Sequence, residues 1–163
     1  MNAVSIFGYE KDLLYMKEAY KQAECAYELQ EVPIGAVVVD GNGIVIGAGY
    51  NKVESKKNQI AHAEVIAIEK ATHSVGDWRL DSCWVYVTVE PCLMCIGLIK
   101  LSRCAGLFYG ISSPLYGYTQ YVDDSIKLEK NMIVLSGLLE IEITVLMKYF
   151  FASQRFNNII DKK

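Results

Sequence analysis

A chain of 163 residues is the length of one domain, with enough interior to bury a substantial core. Its 52% hydrophobic and 21% charged residues are those of an ordinary globular protein, and no stretch approaches the roughly 20 apolar residues of a membrane span. A net charge of −3 says nothing for nucleic-acid binding by itself, since a bulk binder that neutralises phosphate is usually basic. The segment at Met1 lacks the basic flank, apolar run and cleavage site of an export signal. Five cysteines (Cys25, Cys83, Cys92, Cys95 and Cys104) show no disulfide-like spacing, so a reducing cytoplasm is expected, with metal ligation explaining the close pair.

In chain order, Tyr9 to Leu29 carries Leu13, Met16, Tyr20, Ala23 and Tyr27 at helical spacing with no Gly or Pro, which predicts a long amphipathic helix. Pro33 ends the connection. Ile34 to Val39 is a β-branched run, Asp40-Gly41-Asn42-Gly43 is a turn signal, and Ile44 to about Gly49 is a second strand, together a hairpin. Helical spacing resumes from Ala63 to Ala71, and Cys83 to Val89 predicts a strand. Pro91 suits a first helical turn, where its missing N–H costs nothing, and that helix is expected to reach about Leu101. Ala105 to Tyr109 is a fourth strand. A Tyr- and Ser-containing loop from Ile111 to Val122 runs towards a short helix, and Met132 to Ser136 is a fifth strand. Leu139 to Phe151 fits both periods; its length favours a helix. This order predicts a single α/β domain over 1–163, its core about 9–156, with a sheet of five strands covered by helices.

Chemistry concentrates in His62-Ala63-Glu64 and Pro91-Cys92-Leu93-Met94-Cys95. One imidazole and two thiolates are zinc-type ligands. A structural site normally adds a fourth protein ligand, whereas a catalytic site leaves that position to water. Both halves lie at predicted helix N-termini, whose partial positive charge favours thiolates. Water on such a metal is acidified towards a pKa of about 7. Glu64, two residues past the imidazole, is placed to move the water's proton to a ring nitrogen and then to a leaving amine. The pattern His-x-Glu with Pro-Cys-x-x-Cys is that of the zinc nucleobase deaminases. Other readings are a redox pair at Cys92 and Cys95, or a structural zinc site completed by Cys104, Cys83 or His73. The first leaves His62 and Glu64 unexplained. His73 is expected on an exposed helix end, Cys25, Cys83 and Cys104 in the core, and Trp78, Trp84 and most tyrosines in packing.

Beyond these ligands the chain resembles the bacterial tRNA adenosine deaminases from about Tyr9 to Arg155. The shared features are Glu31-Val32-Pro33-Ile34-Gly35-Ala36-Val37, Gly49-Tyr50-Asn51, Ala61-His62-Ala63-Glu64, Tyr86 to Cys95, and Phe150-Phe151. The resemblance implies a cytidine-deaminase-like α/β fold, a five-stranded mixed sheet covered by helices in three α/β/α layers, with one Zn2+ per subunit on His62, Cys92 and Cys95, and Glu64 as catalytic proton shuttle. It also implies a purine pocket with Asn51 bonding the base and Ala63 lining the wall, and a cytoplasmic homodimer acting on a tRNA anticodon loop. Ser113, Tyr116, Phe150, Phe151 and Arg155 are the implied RNA contacts, and Tyr116, Tyr118 and Tyr121 are candidates to stack on splayed bases. The chain departs from the family at Ser113 and Leu115, where an Asp and a Lys are usual before the glycine matched by Gly117. It departs again at Ala152-Ser153-Gln154-Arg155, where an arginine-rich run is usual; the C-terminal basic bias rests on Lys162 and Lys163 instead. The expected reaction is hydrolysis of adenosine to inosine at the tRNA wobble position. A free-base deaminase of guanine, adenine or cytosine is the enzymatic alternative, and a silent zinc module binding RNA or a partner chain is the non-enzymatic one. Glu64 argues against silence.

Overall fold

The computed structural model describes residues 4–121 and 132–160, the last four by backbone only, so Val122, Lys162 and Lys163 lie outside it. Helix α1 (Tyr9–Glu28) leads into strands β1 (Gly35–Val39) and β2 (Val45–Tyr50), then a one-turn helix α2 (Val53–Lys56) and α3 (Ala63–Val75). There follow β3 (Trp84–Val89), α4 (Leu93–Leu101), β4 (Gly106–Ile111), a 3-10 turn at Tyr118–Gln120, β5 (Ile133–Ser136) and α5 (Glu140–Ile160). The open sheet has the order β2-β1-β3-β4-β5. Strand β1 is antiparallel to both β2 and β3, while β3, β4 and β5 run parallel.

Two apolar layers sandwich the sheet, and alternation along its central strands feeds both. Val38, Val85, Val87 and Leu107 meet Ala67, Ile68 and Ala71 of α3 and Ile96 and Ile99 of α4. On the opposite face Val37, Val39, Trp84, Tyr86 and Phe108 meet Tyr15, Met16 and Ala19 of α1 and Ile143 of α5. Strands β1 and β3 are buried on both faces, which is why they read as unbroken apolar runs.

Several expectations shift. The helix after β3 starts at Leu93, with Cys92 as its extended N-cap, so Pro91 precedes the first turn instead of occupying it. The ambiguous C-terminal segment is helical and runs on to Ile160. Trp78 is 57% exposed, not packed, flanked by the Arg79 and Arg103 guanidinium groups at 5.4 and 5.2 Å from its ring. Cys25 is half-buried on α1 instead of in the core, whereas Cys83 and Cys104 are buried. His73 lies exposed in the last turn of α3, as expected.

Candidate active site

Because β2, β3 and β4 share one direction, their C-terminal ends lie along one edge of the sheet. Asn51 follows β2, Glu90-Pro91-Cys92 follows β3, and Ser113 follows β4. The N-termini of α3 and α4 meet at the same edge. His62 caps α3 in an extended conformation, its carbonyl accepting the Ile66 N–H at 3.1 Å, and Cys92 caps α4 likewise, accepting the Ile96 N–H at 3.0 Å. Cys95 sits one turn further, in the part of α4 that packs on the sheet.

His62 Nδ1 lies 3.7 Å from Cys92 Sγ and 3.5 Å from Cys95 Sγ, and the donor atoms of the three residues fall within 4.8 Å of one another. Zn–S near 2.3 Å and Zn–N near 2.0–2.1 Å in a tetrahedron demand N···S edges of about 3.6 Å. The three side chains fit one zinc ion. In the metal-free cluster the thiol of Cys92 is held down to about 4, chiefly because Cys95 and also His62 donate hydrogen bonds to it, against the opposing effect of burial. Cys95 is pushed above the ordinary thiol range by its bond to Cys92 and by burial. His62 is raised, since its bond to Cys92 outweighs its desolvation. A divalent cation displaces protons from such a cluster on binding.

Glu64 is the second residue of α3 and only 4% exposed. Burial raises its pKa above the ordinary carboxylate value, more than its backbone hydrogen bond and the nearby His62 charge lower it. Ala63 is fully buried beside it. Asn51 is buried, its backbone N–H donating to the Ile34 carbonyl at 3.0 Å, and the Lys52 N–H to Ala61 O bond of 2.9 Å ties this stretch to the residue before His62. The Asn51 side-chain amide donates to Glu31 Oε2 at 3.5 Å.

The candidate RNA contacts separate. Tyr116 is 70% exposed on the loop after β4, and Ser113 is half-buried in it. Phe151 and Arg155 are exposed on α5, which reaches this same edge of the sheet through a Gln154 Nε2 to Gln30 Oε1 bond of 3.1 Å. Phe150 is a correction: 5% exposed and edge-on to Tyr27 and Phe151, it offers no free face to a base. Tyr118 is likewise buried, leaving Tyr116 and Tyr121 as the exposed tyrosines of that loop.

Sequence reasoning gave no role to two buried carboxylates here. Glu31 is fully buried and accepts the Glu54 N–H at 3.1 Å and the Ser55 N–H at 2.7 Å, satisfying the first turn of α2 while meeting Asn51. Glu90 is buried and accepts from the loop after β4. Their signals were acidity at the edge of apolar segments and a place within the segments shared with the family, neither of which names a partner.

The model of the cytidine and deoxycytidylate deaminase zinc-binding region matches residues 9–111. The tRNA-specific adenosine deaminase of Bacillus subtilis (strain 168) is 40% identical over 89% of this chain and 91% of its own length. That of Rickettsia bellii (strain RML369-C) is 40% identical over 86% and 99%. A structure from studies of A-to-I editing by tRNA:A34 deaminases at the wobble position of transfer RNA superposes with a TM-score of 0.74 at 34% identity, covering 82% of this chain and 98% of that one. With three residues that could hold a zinc ion and a buried carboxylate at one edge of its sheet, the chain belongs to the cytidine and deoxycytidylate deaminase family of zinc-dependent enzymes.

Proposed function

We propose that this chain, as one deaminase domain over residues 1–163, hydrolyses the 6-amino group of adenosine in a tRNA anticodon loop at the wobble position, leaving inosine and ammonia. The observation that carries the reading is the three-ligand cluster of His62, Cys92 and Cys95 with the buried Glu64 carboxyl against it. Among the described residues that cluster has three donors, which leaves a tetrahedral ion one position for water. The relatives named above, tRNA-specific adenosine deaminases matched over nearly their whole length, support the substrate.

His62 and the thiolates of Cys92 and Cys95 would hold the zinc. When bound, the ion supplies a Lewis acid that brings the pKa of water to about 7. The remaining chemistry belongs to the protein. Glu64 takes one proton from the attacking water and passes it to N1 of the purine as the oxygen adds to C6. It then delivers the second proton to the exocyclic nitrogen. The C6–N bond breaks, ammonia leaves and a carbonyl remains at C6. The raised pKa of Glu64 suits a group that must both accept and release a proton. Asn51 bonds the purine edge with its amide oriented by Glu31, and the absence of bulk at Ala63 leaves room for the ring.

The active form is a homodimer in the cytoplasm. Support comes from Leu93, Met94 and Leu101, which α4 leaves exposed on the side turned from the sheet, and from Ile60 beside the site, also exposed. Cytoplasmic action fits the five free cysteines, which suit a reducing compartment. The test is mass-spectrometric detection of inosine in an anticodon stem-loop carrying adenosine at the wobble position. Zinc-loaded protein should form inosine, and Glu64→Ala should abolish it while keeping the zinc. Near-normal turnover by Glu64→Ala would sink the mechanism. No inosine from the zinc-loaded wild type would move the substrate to a free base or another RNA.

A further inference from the structure

Glu90 is the last residue before Pro91 and Cys92, yet it touches no ligand and takes no part in the chemistry above. Its side chain is buried and turned into the loop that follows β4. There Oε2 accepts the Ser113 N–H at 2.9 Å, while Oε1 accepts the Thr119 N–H at 3.0 Å and the Thr119 hydroxyl at 2.7 Å. Two backbone bonds flank it: Glu90 N–H to Ile111 O at 2.8 Å and Tyr118 N–H to Pro91 O at 2.9 Å. A Cβ on Gly117 would lie 2.3 Å from Glu90 Oε2 and 2.6 Å from the Ser113 carbonyl oxygen, so only glycine lets the loop close over the carboxylate.

The loop held in this way is unusual at its tip. Leu115 is 71% and Tyr116 70% exposed, and the Tyr121 hydroxyl donates to the Leu115 carbonyl at 2.7 Å, fixing a second exposed aromatic ring beside them. An apolar, aromatic tip on an anchored loop gains nothing for the fold. It is chemically suited to lie against unstacked bases, for which flat rings of any sequence serve.

We propose that Glu90 is a positioning residue for substrate specificity. It fastens the Ser113–Thr119 loop to the strand end that leads into Cys92 and Cys95, and so sets Leu115, Tyr116 and Tyr121 as a stacking platform for nucleotides flanking the reactive adenosine. The proposal rests on the tRNA reading above. Glu90→Gln keeps the shape of the side chain but turns one acceptor into a donor facing an N–H, so one arm of the clamp repels.

The experiment compares wild type, Glu90→Gln, Gly117→Ala and Tyr116→Ala in zinc content, in kcat and KM on the wobble-adenosine stem-loop, and in hydrogen exchange at the Ser113 and Thr119 amides. Glu90→Gln and Gly117→Ala should each keep one zinc per chain, raise KM roughly tenfold with kcat within about twofold, and lose protection at both amides. Tyr116→Ala should raise KM with those amides still protected, which separates the platform from its anchor. Unchanged KM in Glu90→Gln, or a fall in kcat together with loss of zinc, would overturn the proposal; the latter would make Glu90 a support of the metal site. Wild-type protein that forms no inosine would overturn the tRNA reading and the platform with it, while the amide protection would still decide whether Glu90 anchors the loop.

Discussion

Replacing Gly49 with alanine perturbs the step by which the sheet positions the metal ligands. Gly49 lies in β2 directly beneath the start of α3, and a Cβ there would lie 2.6 Å from the Ala63 carbonyl oxygen, 2.7 Å from the Ala67 nitrogen and 2.9 Å from the Ile66 Cβ. Two of these are backbone atoms in a helix, so no side chain can swing aside. Relaxing the 2.6 Å contact to an ordinary 3.4 Å moves the first turn of α3 by about 0.8 Å. His62 is the cap of that turn and must move with it, whereas metal–ligand distances tolerate only about 0.2 Å. Overpacking of this kind costs about 1–3 kcal/mol, which for a chain of this size lowers Tm by about 3–9 °C. Misplacing one ligand should weaken zinc binding about 10–100-fold, the range seen when a ligand loses its support. Competition with a chromophoric chelator reads the affinity and calorimetry reads the stability. Gly97→Ala in α4 is the control for zinc affinity, because a Cβ there meets nothing of this chain within 4 Å and should leave the placement of the ligands unchanged. Wild-type zinc affinity in Gly49→Ala would refute the idea that helix–sheet contact at this point places the imidazole.

Two further outcomes follow from groups away from that contact. With zinc bound at pH 8, iodoacetamide should label Cys25 and spare Cys83 and Cys104, whose thiols burial pushes up to about 11 and about 12, leaving almost no thiolate to react. Stripping the metal should add Cys92, whose pKa of about 4 keeps it a thiolate; peptide mass mapping checks both, and rapid labelling of Cys83 in the folded protein would contradict this account of burial. On the opposite face of the sheet, the buried Asp12 of α1 accepts from the Ser5 N–H at 2.8 Å, the Tyr86 hydroxyl at 2.6 Å and the Ser5 hydroxyl. Asp12→Ala should cost about 1–3 kcal/mol by removing that acceptor from buried donors, while zinc content and KM stay as in wild type. A change in KM would show that the two faces are coupled.

The sequence by itself determined most of the element types and singled out the three residues that the structure gathers into one metal-sized cluster. The Gly- and Pro-free amphipathic spacing of Tyr9 to Leu29, the turn at Asp40–Gly43 and the β-branched runs are local signals, and each produced the element expected of it. His62, Cys92 and Cys95 were legible because zinc accepts few donor types and Cys-x-x-Cys lets one helix start supply two of them. What lay beyond local signals was decided by the tertiary structure. Phe150 and Phe151 are adjacent and chemically identical, yet one is buried against Tyr27 and the other exposed, because only the packing of α5 on α1 chooses the inward face. The roles of Glu31 and Glu90 were invisible for the same reason. Their partners are N–H groups 20 to 29 residues away, which come within reach only because β2, β3 and β4 run the same way and end together. A carboxylate's sequence neighbours state its charge; where its hydrogen bonds go depends on strand direction and register, which the whole sheet sets.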